Sequence, residues 1–353
     1  MARDWREKTQ MMQRMLAIFL GLIASSPALL AQDSKIELSL PTDNDALFRG
    51  DGPEFYQYIE RDFQGEKSTP WEGGRYGFVR NPISTAQGLI YTRFHEGIDI
   101  RCLHRDAHGE PLDDVRAIAD GKVVHTNQVA GYSNYGRYIV IEHDWDGSPY
   151  FSLYGHLSEI VVTVGQHINR GQRIARMGYT GEGLNQARAH VHLELNLMLN
   201  RNFESWHDRF LRDPNHNGIY NGINLAGLDI ARFFLEHEKR PDLTVPQFLA
   251  EEETFYKVAL PESSHFDLRK FYPWMVKKNS ANAKSWEVSF ARSGVPLQIE
   301  ARNEPVAQPT LTYVKKTAIS CAYLTRGELT GIGDHAHLTE NGIRQMLLLT
   351  WPE

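Results

Sequence analysis

Cysteine is scarce in this chain. Cys102 and Cys321 are the two among 353 residues, so at most one disulfide can form, and a disulfide-framework fold is excluded. A single bridge and two free thiols are equally compatible with the sequence. Excess positive charge is missing as well. Lys and Arg number 38 against 44 Asp and Glu, for a net charge of −6, and no basic block follows the first fourteen residues. Nucleic acid and anionic membrane surfaces are thereby excluded as partners. The chain has no internal repeat, no low-complexity segment, no G-x-S-x-G elbow and no phosphate-binding glycine loop. "LEHEKR" offers His237 and Glu238, but no second histidine follows to complete H-E-x-x-H. Long apolar runs are absent with one exception, Met15–Ala31 ("MLAIFLGLIASSPALLA"). Preceded by Arg3, Arg6, Lys8 and Arg14 and leaving through alanine, it reads as a secretory signal peptide over 1–31. It is short for a membrane span and is interrupted by Ser25-Ser26-Pro27. The expectation is an exported, envelope-associated protein, periplasmic or extracellular, without a stable membrane span after cleavage.

What is present divides the chain. Residues 32–82 are rich in Gly, Asp and aromatics and read as an irregular lead-in. From 83 to 200 the pattern becomes short apolar alternations such as "YIVIEHD", "FSLYGHL" and "VHLELNL", separated by glycine turns. That spacing predicts a mainly β domain, a compact antiparallel sheet or sandwich-like unit with a groove. Residues 201–284 are partly helical, with "GLDIARFFLEHEKR" and "VPQFLAEEETFYKVAL" near helical spacing. Residues 285–353 return to strand-like runs ("SWEVSFA", "PLQIEAR", "IRQMLLLTW"), giving a C-terminal region of mixed α and β character.

Within the β domain, "ARAHVHLEL" (187–195) sets His190 and His192 two apart. In a strand, residues i and i+2 face the same side, roughly 6.6 Å apart. Both imidazoles therefore face one space while Val191, Leu193 and Leu195 pack behind. A half-buried strand with two hydrogen-bonded histidines is the plain alternative. "RFHEGIDIRC" adds His95 and Asp99. On one straight strand these would lie roughly 13 Å apart and could share nothing. A bend at Glu96-Gly97, with His95 on the loop and Asp99 entering a strand, brings them together, and Gly97 permits it. A catalytic zinc takes three protein ligands and leaves a fourth position to water. His95, Asp99 and one of the His190/His192 pair supply that set. His156, in "YGHL", and the remaining histidine are then free to act on water and substrate.

Taken together with "ADGKVVHT" and "YGRYIVIEHDWDG" in the same order, these residues resemble the lysostaphin-type zinc metallopeptidases, the murein endopeptidases that include the LytM-like domains. The likeness covers about Tyr76 to Leu199. It implies that His95, Asp99 and His192 bind Zn²⁺ and that His156 and His190 are the catalytic histidines. It also implies a zinc metalloendopeptidase (a hydrolase of peptide bonds) acting on peptidoglycan peptide stems. Arg188-Ala189 stands where many members carry Gly-Pro. Tyr91 is a candidate for the tyrosine that some members place upstream of the first histidine, but its alignment does not carry the role over. Two other functions share this fold: a non-catalytic wall-binding factor or amidase activator, and a secreted endopeptidase acting on proteins. His143 reads as structural, and His335 and His337 as a surface turn. Asp213, Asn215 and Asn217 read as an Asn-Gly turn rather than a calcium loop, because position twelve is Asn224.

Overall fold

A run of β-branched and aromatic residues, broken every eight to ten positions by glycine, cannot close a core as helix, and it folds here as antiparallel sheet. The computed structural model describes residues 35–58, 62–67 and 70–352. The signal-peptide expectation lies outside these residues. No helix among them is long and apolar enough to cross a membrane. Residues 35–353 cluster as one compact unit.

Strands β1 (Gly77–Thr85) and β2 (Gly88–His95) form a hairpin. β3 (Ile98–Arg101), β4 (Gly121–Asn127), β5 (Tyr138–Trp145), β6 (Ser148–Gly155), β7 (His167–Ile168), β8 (His190–Met198) and β9 (Leu225–Leu228) build the main sheet. Its order is β7-β4-β5-β6-β8-β9, with β3 also paired to β8. Beyond β8 two short strands share one edge: β3 pairs with 190–193 and β9 with 195–198. Every residue of β8 is consequently buried, so it is enclosed on both faces rather than half-buried. A smaller three-stranded sheet, Glu159–Ile160, Arg173–Arg176 and Asp114–Arg116, lies apart from this path.

Helix α1 (Phe203–Phe210) follows β8, and α2 (Ile230–Lys239) and α3 (Val245–Ala250) follow β9. A second sheet holds β10 (Tyr256–Pro261), β11 (Val276–Lys278), β12 (Ser285–Phe290), β13 (Pro296–Arg302) and β14 (Thr310–Val314), in the order β11-β13-β12-β10-β14. One hydrophobic core runs through both sheets. Two expectations are corrected. "FYKVAL" continues as strand β10 instead of helix. "IRQMLLLTW" ends in helix α4 (Glu340–Leu349), begun by the Thr339 hydroxyl accepting from the Gly342 N–H. Cys102 and Cys321 are both buried and free. The Cys102 thiol is held by Asp113 Oδ2 at 3.0 Å, and burial and that carboxylate push its pKa up to about 12.

His143 sits inside the main sheet. Its Nδ1–H donates to the Asp120 carbonyl at 2.7 Å and Nε2 accepts from Ser152 Oγ at 2.7 Å. Burial depresses its pKa to about 4. An unfolded histidine titrates near 6.5, so between these values the unfolded chain binds a proton that the folded chain refuses. Stability is therefore full above about pH 6.5 and falls by on the order of 3 kcal/mol as pH drops toward 4. Urea unfolding at pH 7 and pH 4.5 should show a larger drop for the wild type than for His143→Gln. Equal drops would remove His143 from the cause.

Candidate metal centre

Strand register assembles the site. His192 on β8 lies opposite Asp99 on β3 and, on its other side, opposite Gly155 at the end of β6. Directly opposed residues stand about 5 Å apart at Cβ, and His156 follows Gly155 immediately. The bend at Glu96-Gly97 then turns β2 into β3 and swings His95 back over Asp99. His95 is the last residue of β2 and not on a loop. Gly97 is required for space: a Cβ there would lie 2.3 Å from the Leu193 carbonyl oxygen and 2.7 Å from Glu194 Cγ.

The three buried side chains His95, Asp99 and His192 offer donor atoms all close to one another. His95 Nε2 is 3.1 Å from His192 Nδ1 and 3.1 Å from Asp99 Oδ1, and His192 Nδ1 is 2.9 Å from Asp99 Oδ1. The outer nitrogens fix the tautomers. His95 Nδ1–H donates to the Arg75 carbonyl at 2.8 Å, and His192 Nε2–H donates to Glu194 Oε1 at 2.8 Å. Once His192 gives up its Nδ1 proton, two nitrogen lone pairs and a carboxylate oxygen converge in a buried space. A tetrahedral ion with bonds of roughly 2.0–2.1 Å separates its ligands by about 3.3 Å, close to this triangle. The donor set fits such an ion.

Electrostatics say the same. Burial would raise the Asp99 carboxyl, but His95, His190 and Arg80 around it hold its pKa well below the usual range. Burial keeps His95 low. Burial also opposes charge on His192, yet Asp99 and Glu194 hold its pKa up at about 9. Without a cation, the cluster retains one proton there.

His190 and His156 flank the three. Each donates its Nδ1–H to a carbonyl, Arg188 at 2.7 Å and Thr180 at 2.8 Å, leaving Nε2 bare. His190 Nε2 is 3.4 Å from Asp99 Oδ1, and the His156 and His190 rings are 4.7 Å apart. Burial and the neighbouring His190 and His192 push the His156 pKa well down. His156 adopts φ +64°, a left-handed conformation uncommon for histidine and characteristic of functional sites.

An open groove of about 1590 Å³ runs past this cluster. Its walls come from the β1–β2 hairpin, from loops 130–135 and 181–188, and from the end of α1 and the segment after it, 207–223. Tyr91 and Arg188 line it, as does Arg326. Arg326, 230 positions along the chain, donates to Glu96 Oε1 at 2.7 Å.

Two polar residues of the site, Glu194 and Arg80, escaped the sequence reading. Glu194 shares the face of His190 and His192 by the same two-residue period that singled out the pair. It also accepts from Tyr135 Oη at 2.8 Å and from Asn196 Nδ2 at 2.9 Å. Arg80 donates to Asp99 Oδ2 at 2.6 Å and had no local signal. The decoys stay out of the donor cluster: His337 Nδ1–H donates to the His335 carbonyl at 3.0 Å on the exposed surface, and Asn215 ties its own loop through Gly218, while Asp213 and Asn217 line the groove.

Residues 93–203 match the family model described as Peptidase family M23. An uncharacterized metalloprotease of Haemophilus influenzae is 34% identical over 134 residues, covering 38% of this chain and 23% of the relative. The peptidoglycan DD-endopeptidase ShyA of Vibrio cholerae is 42% identical over 76 residues, 22% of this chain and 16% of the relative. The murein hydrolase activator NlpD of Escherichia coli is 38% identical over 111 residues, 28% of this chain and 26% of the relative. The chain therefore spans about a quarter or less of the length of these curated relatives.

Proposed function

We propose that this chain, which carries a Peptidase family M23 domain over residues 93–203, is an exported zinc endopeptidase that hydrolyses peptide cross-links of bacterial peptidoglycan. One observation carries the reading: three donor atoms, His95 Nε2, Asp99 Oδ1 and His192 Nδ1, lie within 3.1 Å of one another, while the other ring nitrogen of each histidine is engaged by the Arg75 carbonyl or by Glu194. A chain that only docks on a wall or on an amidase gains nothing from such a set. The named DD-endopeptidase relative points to murein as the substrate, whereas the named activator relative keeps the non-catalytic reading open to test.

His95, Asp99 and His192 would hold the ion. Bound zinc supplies a water acidified toward pKa about 7 and a Lewis acid for the scissile carbonyl. The residues of this chain do the rest. His190 and His156 line the groove, each ring locked by its Nδ1–H on a backbone carbonyl. One accepts the proton of the attacking water, and once protonated it is an acid for the leaving amine. The other, once it carries a proton on Nε2, donates a hydrogen bond to the oxyanion of the tetrahedral species. The groove holds the peptide in extended form past these atoms.

Purified cross-linked sacculi, incubated with the zinc-loaded and the chelated protein and chromatographed as muropeptides, test the reading. Zinc-dependent loss of dimers with gain of monomers is expected. Zinc bound at one per chain without muropeptide turnover would redirect the search to protein substrates. A chain that binds no zinc would leave the wall-binding or activator role.

A further inference from the structure

We infer that the segment preceding the family domain is a working part of the metal centre, and that Arg80 is a positioning residue which confines Asp99 to offering one oxygen. The inference rests on the zinc reading above. Gln57, Arg75 and Arg80 lie upstream of the 93–203 match, yet they grip both of the donor residues nearest to them in the chain. The Gln57 N–H donates to the Asp99 carbonyl at 2.9 Å. The Arg75 carbonyl takes the His95 Nδ1–H at 2.8 Å. Arg80 takes Asp99 Oδ2 at 2.6 Å through Nη2 while its Nε–H donates to the Gly73 carbonyl at 2.9 Å.

Arg80 is aimed by an irregularity. The β1–β2 register runs Phe78 opposite Phe94 and then Arg80 opposite Arg93, so Val79 is an extra residue on β1. Next to it Asn81 takes φ +54°. Bulges of this kind re-aim a side chain, and they recur beside active sites. The turn that supplies the Gly73 carbonyl is itself pressed in, since a Cβ on Gly74 would lie 2.4 Å from the Gln57 carbonyl oxygen. The guanidinium is thus anchored through Nε on the backbone carbonyl of Gly73 while Nη2 holds the Asp99 carboxylate.

The consequence is chemical. Asp99 Oδ1 is shared among three imidazole nitrogens, at 2.9 Å, 3.1 Å and 3.4 Å. A carboxylate with its second oxygen free can rotate and chelate an ion through both. Arg80 occupies that second oxygen, so Asp99 would offer a bound ion one atom and would leave room on it for water.

Zinc affinity of the chain from residue 32 onward, by competition with a chromophoric chelator, tests this in wild type, Arg80→Gln and Arg80→Lys. Partners of metal ligands are worth 10–100-fold in affinity, so Arg80→Gln should weaken binding by that factor, and retention within about threefold of wild type would overturn the proposal. Lys carries the charge but not the fork that spans Gly73 and Asp99, so Arg80→Lys should recover only part. The visible spectrum of the cobalt-substituted protein reports coordination number. It should lose intensity in Arg80→Gln as Asp99 closes onto the ion with both oxygens. A lower urea midpoint of the metal-free variant, with affinity and cobalt spectrum unchanged, would make Arg80 merely structural and sink the inference. Failure of the wild type itself to bind zinc would strike the proposed function instead, a distinguishable result.

Discussion

His192→Ala should give a folded chain that binds no zinc and turns over no substrate. His192 Nδ1 is one of the three converging donors, and two donors from His95 and Asp99 do not make a tetrahedral site with one open position. The effect reaches stability. A ligand held by the folded state alone stabilises it by about 4 kcal/mol when present at a thousand times its Kd. A chelator should accordingly lower the thermal midpoint of the wild type and leave the variant unmoved. A second loss is built into this change. Glu194 is buried, and His192 is one of its partners beside Tyr135 and Asn196. Removing one member of a buried pair costs roughly 3–5 kcal/mol. The double variant His192→Ala/Glu194→Gln, with no carboxylate left to compensate, should regain part of that loss and still bind no zinc. Melting curves with and without zinc and chelator check both statements. A rise in midpoint with zinc in either variant would show that the ion sits elsewhere.

His156→Asn should keep the metal and lose the chemistry. His156 touches none of the three donors by hydrogen bond, and its ring centroid lies 5.8 Å from that of His192. Asn suits the position because it tolerates the left-handed backbone that φ +64° demands. The imidazole is removed while the turn into Leu157 survives. Loss of a positioned proton-transfer group costs 10²–10⁴ in rate. Full zinc content with kcat down by about that factor, and KM little changed, is the expected result. A variant within about threefold of wild type would remove His156 from the reaction.

Much of this site could be read in the sequence because its logic is periodic and local. His190 and His192 share a face by strand alternation, and Gly97 announced the bend that returns His95 to Asp99. The reason given for that glycine was conformational freedom, whereas the structure gives closeness to β8. Glu194 was readable by the same alternation, two steps beyond His192. Arg80 was not, because an inserted residue in β1 decides where it points, and no pattern of types marks a bulge. Nor was α4 readable from "IRQMLLLTW": a short apolar run does not distinguish strand from helix. Thr339, three residues before Gly342, carried the signal that decides it. The groove walls from 207–223 and from Arg326 are long-range contacts, which composition does not encode.

The contact from Arg326 to Glu96 has a temporal side. A ribosome adds about 5–20 residues per second, so the 230 residues between the pair represent on the order of 10–50 s of synthesis. During that interval the His95 bend exists without the side chain that braces it. Glu96 at that bend therefore gains this partner last, after the distal part of the chain has been made.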